Sequence, residues 1–169
     1  MNADGRRTKK PSAKSQVDPK RLEAAVAGLR GRIHFDASLE TYTSFKIGGP
    51  ADVLVEPADV EDVRRLVGQA SAARIPTFVL GGTNLLIRDG GIRGIVVSLS
   101  KLRGIHEEPG AVLYAEGGVG MPTLIGYAIR RSLSGLEWAA GIPGTVGGCL
   151  VMNAGTRLGE MKDAVKAVR

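Results

Sequence analysis

The sequence predicts a mixed α and β fold built from two small layers. Three features carry this reading. Apolar residues make up 43% of the 169 positions and aromatic residues only 4%. Such a core of Val, Leu, Ile and Ala suits mixed structure better than an aromatic-rich β-barrel. Residues 51–80 then show strand, helix and strand patterns in turn. A βαβ unit of this kind makes its strands parallel, with a right-handed crossover. Finally, a second strand-and-helix pattern leads into residues 135–155, which hold six glycines, Pro143 and a single charged side chain, Glu137. The length suits one domain, or one and a fraction.

Residues 1–17 are polar and low in bulk, and are expected to form a disordered basic leader. Asp18 and Pro19 read as N-cap and first helical residue. Leu22, Ala25, Val26 and Leu29 follow on one face, and Gly31 is expected to stop the helix. Residues 18–44 thus read as an N-terminal helix and linker. Gly48, Gly49 and Pro50 signal a turn. Residues 51–55 read as a strand, closed by Glu56 and Pro57. Asp59 is placed to cap a helix with Val60, Val63, Leu66, Val67 and Ala70 on one face, and Pro76 breaks it. Residues 77–80 form a short apolar strand. A turn at residues 88–91 and a strand over 94–99 complete a three-stranded layer, so 45–102 reads as the first subdomain.

The second subdomain, 103–169, opens with a strand over residues 112–116 and a glycine turn at 117–120. Pro122 opens a helix with Leu124, Ile125, Ala128, Ile129 and Leu133 inward. Arg130 and Arg131 complement the dipole at its end, and Gly135 closes it. A short helix is expected to start near Thr145. Residues 161–169 read as the beginning of another strand. No internal repeat is visible.

Charge and cysteine content narrow the function classes. The formal charge is +6, but residues 1–20 alone carry a net +4, so the basic character belongs to the leader. Its alternative reading is a weak contact with nucleic acid or an acidic surface. No aromatic residue interleaves it, so base stacking has no support. The single cysteine, Cys149, excludes an internal disulfide and fits a reducing compartment. No run approaches the ~20 apolar residues that span a bilayer, and no signal-peptide core is present. The expected location is the cytoplasm.

Two glycine loops carry the candidate chemistry. Gly81, Gly82, Thr83 and Asn84 leave a strand and offer backbone N–H groups, a hydroxyl and an amide. Such a loop can hold a diphosphate, although it matches neither a Walker A loop nor a GxGxxG fingerprint. The alternative is a plain turn. In residues 141–148, Pro143 stiffens a loop whose glycines let backbone approach a ligand, and Thr145 is placed to cap a helix. The alternative is a glycine-rich packing contact. Asn153, Ala154 and Gly155 either face the same ligand or end a helix, with Gly155 in the left-handed region. His34 and His106 lack a partner pattern. Cys149 and Trp138 read as core, and neither Glu137 nor Glu160 shows a catalytic pattern.

Residues 42–51 (YTSFKIGGPA), 80–91 (LGGTNLLIRDGG) and 141–148 with 152–155 (GIPGTVGG and MNAG) together resemble the flavin domain of the UDP-N-acetylenolpyruvoylglucosamine reductase family, in order and in spacing. The resemblance covers about residues 39–169. It implies an α+β fold of the vanillyl-alcohol oxidase type, with two α/β subdomains around FAD and the second truncated. It implies that Gly81, Gly82, Thr83, Asn84 and Leu85 hold the FAD diphosphate. Gly141, Ile142, Gly144, Thr145, Val146 and Gly148 would line the flavin and ribityl side, with Asn153, Ala154 and Gly155. FAD would be non-covalent, since neither histidine lies in a matching loop. The implied activity is NADPH-dependent reduction of the enolpyruvyl ether of a UDP-sugar, in peptidoglycan precursor synthesis. Hydride would pass through the flavin.

The resemblance implies that the family's catalytic arginine, serine and glutamate would fall beyond Arg169, and that the C-terminal substrate domain is expected to be absent from this chain. Arg157 and Arg169 do not follow a tyrosine and are not assigned that role. The chain therefore reads as an N-terminal part expected to lack turnover alone. The expected partner is a small UDP-sugar, with no nucleic acid and no membrane, and the expected state is a monomer. The alternatives are an FAD-dependent oxidase of the same fold, or a non-catalytic FAD-binding fragment.

Overall fold

The computed structural model describes residues 17–81 and 85–169. The expected leader, apart from Val17, and the loop residues Gly82, Thr83 and Asn84 lie outside the described residues.

Helix α1, Pro19–Val26, begins where its capping chemistry places it: the Asp18 carboxylate accepts from Lys20 N at 3.0 Å and Pro19 opens the first turn. It ends before the expected stop, and Gly28 takes φ +74°. Gly31 serves a different need. A Cβ there would lie 2.2 Å from the Glu56 carbonyl oxygen, so only glycine lets these backbones pass.

Four strands form the main sheet, one more than the sequence pattern indicates. They are β1 (Arg32–Ser38), β2 (Pro50–Glu56), β3 (Thr77–Leu80) and β4 (Ile92–Ser98), in the order β1-β2-β4-β3. β1 runs antiparallel to β2, and β4 runs parallel to both β2 and β3. The strands of the expected βαβ unit are thus separated by β4. β1 escapes the sequence reading because five of its seven residues are exposed. It is an edge strand, and its partner lies in β2.

Helix α2, Val60–Ala72, starts with Asp59 accepting from Asp62 N at 3.0 Å. With α1 it covers one face of the sheet, where Leu22, Val26, Val53, Val55, Leu66, Ile95 and Val97 pack. Leu39, Leu54, Leu80, Ile87 and Val96 pack on the opposite face. β2 and β4, covered on both faces, read as near-continuous apolar runs for that reason. The expected apolar face of α2 is only partly inward: Val60 and Val67 are exposed, and Asp62 is buried.

The C-terminal unit has the hairpin β5 (Ile105–Glu108) and β6 (Val112–Ala115), helices α3 (Met121–Arg130) and α4 (Val146–Val151), the short pair β7 (Gly155–Thr156) and β8 (Gly159–Glu160), and α5 (Met161–Ala164). Its core gathers Val119, Met121, Leu124, Trp138, Ala139, Cys149 and Met161. Ile129, expected inward on α3, is 70% exposed. Residues 161–164 are helical rather than extended. Glu160 and Asp163 form a reciprocal capping box there, satisfying the first free N–H groups of the turn. The left-handed residue after α4 is Asn153, at φ +43°, rather than Gly155. Gly155 instead packs flat: a Cβ there would lie 2.6 Å from Glu160 Cβ.

No helix among the described residues is long and apolar enough to cross a membrane. No cluster among them has the residues to hold a metal ion.

Candidate functional site

A seam of glycines joins the two units. Gly81 leaves the carboxyl end of β3. A Cβ on Gly148 would lie 3.5 Å from the Gly81 carbonyl oxygen and 3.6 Å from its Cα. The two glycine loops of the sequence therefore meet in space. On the far side of α4, Gly147 N donates to Gly117 O at 2.9 Å, and a Cβ on Gly147 would lie 2.9 Å from that same oxygen. Gly118 is tighter still, since its Cβ would fall 1.8 Å from Leu99 O. The sequence shows residues 117–120 as a turn. Their role in closing the seam depends on partners that sequence spacing does not reveal.

Two backbone bonds pin the Gly144–Val146 segment to the start of α3. Met121 N donates to Gly144 O at 2.9 Å, and Val146 N donates to Val119 O at 2.7 Å. The Thr145 hydroxyl caps α4, accepting from Gly148 N at 3.2 Å. This matches the expected cap. Gly141 and Gly144 take φ values of +86° and +102°, and nothing lies within 4 Å of a Cβ built on Gly141. Ile142, Gly144, Thr145, Val146 and Gly148 are all half-buried. Residues 138–152 carry no charged side chain. Together they form a stiff, uncharged wall that is still reached by solvent.

Asn153 lies just beyond the wall, and its side chain has another task. Its Nδ2 donates to Glu160 at 2.7 Å and its Oδ1 accepts from Lys162 N at 3.0 Å. This clamps the turn after α4 onto β8 and α5. Ala154 is half-buried and Gly155 exposed. Leu85, the described residue on the far side of the first loop, packs against the sheet core.

The remaining candidates take structural positions. Cys149 is buried with its Sγ 3.7 Å from Pro143 O, and burial pushes its thiol pKa up. A protonated, enclosed thiol is a poor nucleophile. Trp138 is core, and its indole N–H donates to Gly135 O at 3.1 Å. Glu137 accepts from Gly135 N at 2.8 Å. His106 stacks on Tyr114 on the outer hairpin, with centroids 4.5 Å apart. His34 sits on β1, opposite Leu54.

The seam suits a long cofactor with a flat ring and a diphosphate. Glycine backbone can approach a diphosphate without side-chain obstruction, and an uncharged wall with Ile142 and Val146 can flank a ring. Two α+β units meeting along such a seam define a nucleotide-cofactor domain of the vanillyl-alcohol oxidase type. The same fold occurs in alkyldihydroxyacetonephosphate synthase, with a TM-score of 0.67 at 16% identity, covering 88% of this chain and 32% of that one. A sequence family described as an FAD binding domain matches residues 51–169. The chain belongs to this family of FAD-binding domains, and FAD is the cofactor of the family.

Among curated proteins, the chain is similar to UDP-N-acetylenolpyruvoylglucosamine reductases. The protein of Caldanaerobacter subterraneus subsp. tengcongensis is 45% identical over 139 residues, which is 82% of this chain and 46% of that protein. The Rubrobacter xylanophilus protein is 50% identical over 123 residues, or 72% and 41% of the two chains. The solved UDP-N-acetylenolpyruvylglucosamine reductase of Thermus caldophilus is 36% identical with a TM-score of 0.62, covering 80% of this chain and 46% of that one. The chain spans about half the length of the curated relatives it matches.

Proposed function

We propose that this chain is the flavin-holding part of an enzyme that reduces UDP-N-acetylenolpyruvoylglucosamine to UDP-N-acetylmuramate, in peptidoglycan precursor synthesis. The observation that carries the proposal is 45% identity to a reductase of that name across 82% of the chain. The contact of Gly81 with Gly148 supports it physically. Within this reading, Gly81, Gly82, Thr83, Asn84 and Leu85 hold the diphosphate. Gly141, Ile142, Gly144, Thr145, Val146 and Gly148 line the ribityl and ring side, and Ala154 and Gly155 contribute backbone beyond it. Asn153 orients that backbone, because its amide is committed to Glu160 and Lys162. The division between subdomains falls near residue 102, where β4 has ended and the seam begins.

FAD held between these two loops would supply the hydride-transfer chemistry of the reaction. The chain's own residues do the positioning. Thr145 fixes the first turn of α4, and Gly147 and Gly148 let that turn lie flat on Gly117 and Gly81. The cofactor is held non-covalently in this reading, with His34 and His106 on β1 and β5. We further propose NADPH as the hydride donor, a UDP-sugar as substrate, a monomer and a cytoplasmic location. The lone, buried Cys149 agrees with a reducing compartment.

The test is the visible absorption spectrum of the purified chain after incubation with FAD and removal of excess. A retained flavin band, released by acid as free FAD, is the expected result. A colourless protein would overturn the cofactor assignment for this chain.

A further inference from the structure

Four polar or charged side chains are buried among the described residues: Thr43, Glu56, Asp62 and Ser98. Thr43 and Asp62 hold the fold. The Thr43 hydroxyl donates to Ile47 O at 2.8 Å, and the Asp62 carboxylate accepts from Ala58 N, Arg30 N and Gly31 N. Among the described residues, the side chains of Glu56 and Ser98 close no turn and cap no helix. Burying polar groups is costly unless they are partnered, so their place has another reason.

Strand register brings them together. Arg32 lies opposite Glu56, and Leu80 lies beside Ser98. Leu54 pairs with Val96 and Val55 with Val97, so the next position sets Glu56 beside Ser98. Arg32, Glu56, Ser98 and Leu80 therefore form one row at the carboxyl ends of the parallel strands, the end where open α/β sheets bind ligands. The Ser98 hydroxyl donates to Ser100 Oγ at 3.1 Å, and the Ser100 hydroxyl donates to Glu56 Oε1 at 3.3 Å. A cleft of about 380 Å³ opens here, lined by Glu56, Ser100, Lys101 and Arg103. An adjoining cleft of about 310 Å³ shares Glu56 and Lys101 and adds Arg30 and Arg32.

Charge decides what fits. Arg30 is committed to Asp59 and Asp62, and Glu116 accepts from Gly104 N. Arg103 Nε donates to Ser100 O at 2.5 Å, which holds its guanidinium at the cleft. Arg32, Lys101 and Arg103 line the clefts, and among the described residues no ion pair joins any of them to Glu56. A bare anion would meet these cations but also the Glu56 charge. A phosphate that carries hydroxyl donors satisfies both, with its oxygens on Lys101 and Arg103 and a hydroxyl on Glu56. We propose that the joined clefts bind a small phosphate ester bearing free hydroxyls, as a sugar phosphate or a mononucleotide does, at a site separate from the cofactor seam. β4 lies between β2, which ends at Glu56, and β3, which leads to Gly81. The two sites thus stand about 10 Å apart along the sheet edge.

In the test, ribose 5-phosphate, AMP and inorganic phosphate are titrated by calorimetry into the full chain, with and without FAD, and into Lys101→Ala, Arg103→Ala and Glu56→Gln. Ribose 5-phosphate should bind as one molecule per chain, on the order of tenfold tighter than inorganic phosphate, whether or not FAD is present. Lys101→Ala and Arg103→Ala should each weaken it by about three- to tenfold, with FAD retention unchanged. Glu56→Gln should narrow the advantage over inorganic phosphate, because that advantage rests on the carboxylate. Tighter binding of AMP than of ribose 5-phosphate would mark a nucleotide as the source of the ester, and the reverse a free sugar phosphate. The site is overturned if neither ester binds, if ribose 5-phosphate and inorganic phosphate bind equally, if both lysine and arginine variants bind unchanged, or if FAD displaces the ester. A chain that binds the ester but retains no FAD would overturn the cofactor reading alone.

Discussion

In the four-stranded sheet, Val53, Val55, Ile95 and Val96 have no exposed surface, and helices cover one side while residues 39–54 and 80–96 close the other. In the C-terminal hairpin, every residue of β6 is half-buried and no residue of β5 is fully buried. Val151, Met152 and Leu158 stand 64–85% exposed nearby. The sheet unit is therefore held by its own apolar burial. The C-terminal unit depends on a small core, on helix caps and on backbone contacts with the sheet unit at the glycine seam. The uncharged glycine wall lies on the less self-sufficient unit, next to the better-packed one. Local stability is not uniform in such an arrangement, and binding segments are drawn from the weaker part.

The largest expected effect tests the core of the sheet. Leu66 is fully buried between α2 and the strands, and Leu66→Ala should cost about 2–5 kcal/mol of unfolding free energy. A shift in the urea midpoint worth less than about 1 kcal/mol would show that the sheet unit is not held by this packing. Next comes the seam. A Cβ on Gly118 would meet Leu99 O at 1.8 Å and Leu102 O at 2.6 Å. Gly118→Ala must displace backbone and should cost about 1–3 kcal/mol. It should also reduce FAD retention, which Leu66→Ala in its folded fraction should not. If both variants retain FAD equally, the seam is not part of the site.

The third prediction concerns acid. Asp62 is buried, and burial alone would raise its pKa. Donation from Ala58 N, Arg30 N and Gly31 N, with the charge of Arg30, outweighs that and holds the pKa below the usual carboxylate value. Asp59 is lowered chiefly by the N–H of Asp62, and further by Arg30. For a depressed folded pKa, the stabilisation is present above the unfolded value of about 3.9 and lost as pH falls through the folded value. The joint between α1, β1 and α2 should therefore weaken below about pH 4. In Asp62→Ala, which leaves three backbone donors without their acceptor, that pH dependence should shrink at a cost of about 1–3 kcal/mol. An unchanged acid limb in the urea midpoint against pH would count against Asp62 as its source. The smallest effect is on the exposed rim: Val151 is 85% exposed, so Val151→Ser should change stability by under about 0.5 kcal/mol. A larger loss, read by thermal melting, would mean that Val151 is covered in solution.

The comparison also separates what sequence reasoning could reach from what it could not. Asp18, Asp59 and Thr145 were legible as helix caps, and each accepts a hydrogen bond from a residue two or three positions on. Gly81 and Gly148 were legible as candidate site residues because glycine-rich, uncharged loops are rare without a close approach. Their contact with each other was not, since 67 positions separate them. Gly117 and Gly118 show only as a turn in the sequence, for the same reason.

The sequence by itself determined the helix starts, the buried strands β2 and β4, the two glycine loops and the family. These depend on hydrogen bonds within one turn, on apolar runs, or on motif order along the chain. Tertiary structure alone decided that β1 pairs with β2, that β4 lies between β2 and β3, and that β5 pairs with β6. It also decided that Asn153 rather than Gly155 takes the left-handed turn, and that residues 161–164 are helical rather than extended. An edge strand carries little apolar signal and gains its hydrogen bonds from a partner elsewhere in the chain. The seam is likewise a property of backbones that meet only after both units have folded.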